Sequence, residues 1–183
     1  MSDEDNKKRE RVQLKNVRIS FPSLSKRENF EGKEGKYAAT FLIPKDNVKL
    51  KKKLDRMIQE AISRSKVEKV KKSNICLKDG DESEYEGYPD NWSIKATNKN
   101  RPKVYDRSRE EVDVEDIDDL ILPGYRVNAV IDFWVQDNKF GKKVNANLLG
   151  VQFCKKDEVL GNAAPDVSDD FEEQDDEDED DDI

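Results

Sequence analysis

Cations and aromatic rings recur at strand spacing in two parts of this chain. In residues 101–106 (RPKVYD), Arg101, Lys103 and Tyr105 share one face of an extended segment, while Pro102 and Val104 share the other. The preceding segment 92–97 (WSIKAT) adds Lys95. In residues 125–136, Arg126, Asn128 and Trp134 fall opposite the apolar set Tyr125, Val127, Ala129, Ile131, Phe133 and Val135. Lysine and arginine can neutralise phosphates, and a ring can stack on any base, at about 1–3 kcal/mol per base. Lys95, Arg101, Lys103, Tyr105, Arg126 and Trp134 are therefore candidate contacts for a single-stranded nucleic acid. Trp134 has a plainer alternative: packing beneath a loop, in a second small core or in a dimer contact.

Other chemistries find little support. There is no histidine, which removes Ser-His-Asp, Cys-His and His-ligated metal arrangements. Cys76 and Cys154 cannot make a zinc site alone, and their separation suits two free thiols. Asp113, Glu115, Asp116, Asp118 and Asp119 are clustered carboxylates of the kind a metal-dependent nuclease needs, but they lack a companion constellation. No metal, cofactor or catalysis is expected.

Charge is unevenly distributed. The net charge of −8 averages two regions. Residues 166–183 hold thirteen Asp and Glu and no Lys or Arg, so the 34 basic residues before them face 29 acidic ones, a net +5. A mildly basic body thus carries a strongly acidic tail. Such tails are commonly solvated and solubilising. Tethered beside a cationic groove, the same polyanion can also occupy it in place of DNA.

The elements that must position these residues read as strands. The central stretch 123–156 alternates apolar and polar residues through Val135, turns at residues 137–141 (DNKFG) and returns over 144–153. Apolar parity switches between Leu148 and Leu149 beside Gly150, which predicts a bulge that bends the return strand. Earlier strands are predicted over 12–21, with Val17, Ile19 and Phe21 on one face and Pro22 ending it, and over 37–43, stopped by Pro44. Asp46 is placed as the N-cap of an amphipathic helix whose apolar stripe is Leu54, Met57, Ile58, Ala61 and Ile62. Its other face, with Lys49, Lys51, Lys52, Lys53, Arg56 and Arg64, is either a solvated cover for the barrel end or a rim for phosphates. Residues 66–88 read as irregular and 107–119 as a loop or short helix. Five strands, one helix and no βαβ alternation predict a small, mainly antiparallel barrel over residues 12–161. Residues 1–11 and 162–183 are expected to be disordered. The charged start has no apolar signal region and no apolar run approaches the ~18 residues of a membrane span, so a cytoplasmic protein is expected.

The runs KATNKNRPKVYDR, PGYRVNAVIDFWVQDNKFGKKVNANLLGVQF, NVRISFPSL and KYAATFLIPK together resemble the phage-encoded single-stranded-DNA-binding proteins with an OB fold, across roughly residues 12–161. The resemblance implies a five-stranded Greek-key barrel that coats DNA without catalysis during phage replication and recombination in the host cytoplasm. It also implies an acidic tail that competes with DNA and recruits replication or recombination proteins. Cooperative coating would favour a homodimer or cooperative oligomer. Tails of this kind often finish on an aromatic residue; here the end is Asp182-Ile183 and the tail's single ring is Phe171. The competing reading is an acidic interaction protein, a DNA mimic or a chaperone of basic proteins, that acts through the tail.

Overall fold

Alternation in the central stretch produces the two longest strands, β8 (Arg126–Asn138) and β9 (Gly141–Lys155). This computed structural model of the protein describes residues 9–30, 33–161 and 168–174. The expected disordered termini fall largely outside those residues. β8 and β9 pair from Arg126↔Lys155 to Asn138↔Gly141, and Gly141 takes the left-handed φ of +107° that the two-residue turn requires. The register slips between Val130↔Gly150 and Ile131↔Leu148, so Leu149 is the extra residue of a bulge. It lies where the parity switch predicts it.

The other strands are β1 (Val12–Ser23), β2 (Asn29–Phe30), β3 (Lys33–Glu34), β4 (Tyr37–Pro44), β5 (Leu77–Asp79), β6 (Asn91–Asn98) and β7 (Lys103–Tyr105). β1 pairs with β8 through its first half and with β4 through its second. β4 pairs with β6, and β6 meets β9 in a parallel pairing, Ala96↔Ala146 and Thr97↔Asn147. The ring β1-β4-β6-β9-β8 is thereby closed into a five-stranded OB-like barrel, with β5 added beside β6 and β7 beside β9.

The barrel is mainly antiparallel, with β6 and β7 both running parallel to β9. Two expectations change in detail. Pro22 does not end β1, which continues to Ser23. Pro22 sits in an irregularity between Ser20 and Ser23, where no ladder donor is needed. The helix is capped by Asn47, whose Oδ1 accepts the Leu50 N–H at 3.3 Å, and not by Asp46.

That helix, α1 (Val48–Ser65), buries the stripe Leu54, Met57, Ile58, Ala61 and Ile62 and covers the barrel end from which β4 leaves. A second helix, α2 (Val114–Leu120), leads into β8 at the opposite end and buries Ile117, with Ile121 just beyond it. Residues 66–88 are more ordered than their composition suggests, with β5 followed by a one-turn helix, Gly80–Glu82. Lys45 bonds both Asp79 and Asp81, and holds their carboxyls below the usual range. Gly80 is needed there for space: a Cβ would stand 2.3 Å from the Tyr88 carbonyl oxygen.

Asn47→Ala should lower stability by about 1 kcal/mol in a denaturant melt, as loss of a helix cap does. Gly80→Ala should cost more than that, because the atom it meets is backbone.

Candidate nucleic-acid interface

Strand register brings outward-facing side chains into rows across the barrel. Thr40 on β4 pairs with Lys95 on β6, and Asn145 on β9 pairs with Trp134 on β8. Two residues from the β6–β9 contact Thr97↔Asn147, Lys95 and Asn145 line the same hollow, so Thr40, Lys95, Asn145 and Trp134 form one row. A cavity of about 760 Å³ lies over this face, floored by Thr40, Ser93, Lys95, Thr97, Lys143 and Asn145. A second, of about 620 Å³, shares Glu28, Lys95, Thr97, Lys143 and Asn145 with it and continues towards Lys36, Lys99 and Gln136. The two make one groove across β4, β6 and β9.

Rings stand at both ends. At one wall Phe21 meets Tyr85 edge-on at 4.8 Å, and Tyr85 lies 5.3 Å from Tyr88. Tyr88 is buried and donates to Ser20 Oγ at 3.0 Å, so it supports the wall, whereas Tyr85 is 58% exposed. At the far side Trp134 is half-buried, with the Lys36 ammonium 5.9 Å from its ring centroid. Lys95 is 3.3 Å from Glu28, a carboxylate within the groove. Cys76 lines the wall beside Val144, and burial pushes its thiol up to about 12.

Of the six residues singled out by spacing, Lys95 and Trp134 share the row across the groove. Arg101 lies over the Tyr37 ring at 5.2 Å, as Arg27 does at 5.4 Å, and donates to the Ser25 carbonyl. Lys103 and Tyr105 stand on β7, which pairs with the later half of β9; Lys103 is exposed, 3.9 Å from Glu111. Arg126 bonds Asp157 at 2.8 Å and the Asn16 carbonyl at 3.1 Å. The Glu158 N–H and then Arg126 hold the Asp157 carboxyl below its ordinary value. These four side chains do not line the groove described above; Trp134 does not line it either, but borders it through Asn145 and Lys36, which do.

Spacing did not single out Lys143 and Asn145, although they alternate with buried Val144 and Ala146 and pair with Gln136 and Trp134. Phe21 gave no signal: it shares apolar parity with Val17 and Ile19, yet a φ of +46° turns it out of their row into the groove wall. Tyr85 lies in a segment whose composition reads as irregular. The clustered carboxylates of 113–119 do not converge; Asp118 accepts from Ser25 Oγ at 2.8 Å, and among the described residues no group of His, Cys, Asp or Glu could hold a metal ion. Nor is any helix among them long and apolar enough to cross a membrane.

A closed five-stranded barrel with a groove across its strands defines the class, a small OB-type binding domain. The chain belongs to the family of the Enterobacter phage Enc34 ssDNA-binding protein, whose model matches residues 10–183. A structure described as the single-stranded DNA-binding protein from bacteriophage Enc34 in complex with ssDNA is 38% identical, with a TM-score of 0.78, covering 82% of this chain and 89% of that one. "Putative protein p50" of Acyrthosiphon pisum secondary endosymbiont phage 1 is 37% identical over 156 residues, 79% of this chain and 83% of that protein. The single-stranded DNA-binding protein gp2.5 of bacteriophage T7 shares the fold, with a TM-score of 0.61 at 15% identity, over 91% of this chain and 97% of that one.

Burial of Cys76 has a direct consequence for its reactivity. In the folded protein at neutral pH it should alkylate far more slowly than a free thiol, because the thiolate is the nucleophile. Mass spectrometry after a timed iodoacetamide pulse, with and without denaturant, checks this.

Proposed function

We propose that this protein coats single-stranded DNA without reading its sequence and serves phage DNA replication and recombination in the host cytoplasm. The groove carries the proposal: cations at its centre, an aromatic wall on one side, Trp134 bordering the other beside Lys36 and Asn145, and an open path across the barrel. Phosphates would lie on Lys95 and Lys143, and bases would stack on Trp134 and on the Phe21–Tyr85 wall. Lys103 and Tyr105 would extend the path along β7, while Arg101 and Arg126 would act from their internal contacts by holding its borders. The relatives described as single-stranded DNA-binding proteins, one of them solved with ssDNA, support the same reading. A homodimer or a cooperative array along the strand completes it.

Fluorescence titration with oligo(dT) tests this reading. The Trp92 ring is already occupied by Lys45 at 4.8 Å and Lys51 at 4.3 Å, so the change should come from Trp134. The log–log salt slope should be about −0.7 for each phosphate contacted. Trp134→Ala and Tyr85→Ala should each weaken binding by about 1–3 kcal/mol with little change in melting temperature. No binding to oligo(dT), with retention of basic proteins instead, would favour the acidic interaction protein.

The tail is the regulatory part of the proposal. Thirteen acidic residues follow a net-positive body, close enough to compete for its cations and to repel incoming phosphates. It would also recruit replication proteins. Removing residues 166–183 should raise ssDNA affinity, most at low salt, where the Debye length is longest. Equal affinity of full-length and truncated protein in low-salt anisotropy would leave the tail only a solubiliser or a partner hook.

A further inference from the structure

Among the described residues one buried side-chain polar atom has no hydrogen-bond partner: Oδ1 of Asp132. Asp132 is 7% exposed, on the same outward face of β8 as Trp134 two residues on. An unsatisfied carboxylate oxygen is costly in a protein interior. The charges that face it come from the segment preceding β1. Arg9 Nη1 lies 3.9 Å away, too far for a hydrogen bond, and Arg11 stands one residue before Val12, which pairs with Ile131. From β9, Asn147 is the polar side chain across the pair. Burial pushes the Asp132 carboxyl above its ordinary value, against the pull of Arg9, Arg11 and Asn147. The next residue, Glu10, is tied to Arg56 of α1 at 3.2 Å.

We propose that Arg9 and Arg11 form an additional phosphate-binding site at the Trp134 end of the groove, held in reserve by Asp132, which stands in for a phosphate while no strand is bound. The inference rests on the ssDNA reading above. The resting contact is poorly made, so its loss costs little: when the segment lifts, Asp132 regains water and each guanidinium finds an exposed phosphate. A phosphate offers what Asp132 does not, an unburied charge with several acceptor oxygens that a guanidinium can approach in hydrogen-bonding geometry.

Full-length protein, Asp132→Asn, and Asp132→Asn combined with Arg9→Ala and Arg11→Ala are titrated against labelled oligo(dT) by anisotropy across salt. Asp132→Asn should bind several-fold tighter at low salt. Its log–log slope should steepen by about 0.7 for each phosphate gained, hence about 1.4 if both arginines engage. The combined variant should lose that gain. Asp132 protonates more readily in the folded protein than in an ordinary carboxylate environment. Acidifying the wild type through that raised range should therefore tighten binding, and Asp132→Asn should lack this component. Unchanged affinity and slope in Asp132→Asn, or a gain that persists without the arginines, overturns the proposal. If thermal melts show Asp132→Asn unfolding early, Asp132→Ser carries the same comparison. Wild-type binding in the same titration separates the two readings: its absence refutes the groove, whereas normal wild-type binding with an unaltered variant refutes only the reserve site.

Discussion

A closed ring with an odd number of strands cannot be antiparallel throughout, and this barrel has five. Four successive reversals, from β6 to β4, β1, β8 and β9, leave β6 and β9 running the same way, so their contact must be parallel. The constraint explains the shortness of that seam, which holds only Ala96↔Ala146 and Thr97↔Asn147. β9 must then leave the seam, and the Leu149 bulge bends it away, so that β7 pairs with Gly150–Gln152 instead. β1 must likewise serve two partners. It turns at Asn16, with φ +52°, where the displaced N–H donates to the Asn128 side chain at 2.9 Å. It turns again at Phe21, within its pairing to β4, where the register shifts between Ser20 and Ser23.

Charge on the groove face is more balanced than the body's net charge suggests. Glu28 answers Lys95, and the Lys45 ammonium lies between Asp79 and Asp81 at the wall. Such exposed pairs contribute little to stability, since water and salt screen them. Their effect on an anionic ligand is larger. In the proposed reading, a phosphate at Lys95 would compete with the Glu28 carboxylate, and carboxylates in the path would repel all polyanions alike. Binding would then depend on several weak contacts made together and on rings that accept any base. Sequence-independent coating has the same requirement: no single contact should dominate the free energy, or the protein would stall on whichever bases favoured it.

The fold was legible because periodicity reports burial directly. The parity of β8, the switch at Leu148–Leu149 and the stripe from Leu54 to Ile62 each follow from which side of an element meets the core. The site was only half legible, and Lys95 and Trp134 show why. Each could be placed on an outward face, but their shared row depends on the register of four strands, which no local pattern contains. Arg101 and Arg126 illustrate the opposite limit. Their types and spacing match those of phosphate ligands, yet Tyr37 and Asp157 engage them from positions 64 and 31 residues away in the chain. The β5 region was missed because its order comes from the Lys45 contacts and from the space that Gly80 leaves, not from apolar alternation.

The irregularities that close the barrel also build the groove. A regular β1 would keep Phe21 in line with Val17 and Ile19, facing the core, and Tyr85 would be left with Tyr88 alone as a ring partner. The left-handed backbone at Phe21 is unfavourable for a residue with a side chain. It persists because β1 must shift register there, with Ser20 beneath held by Tyr88 and Ser23 already paired with Ala38. The aromatic wall is thus fixed by a strain that the topology requires anyway. At the other end, β8 extends past its last partner on β1, Ile131 with Val12, and that overhang leaves Trp134, half-buried opposite Asn145, within reach of Lys36. Closure of an odd ring and a groove with a ring at each end are consequences of the same two bent strands.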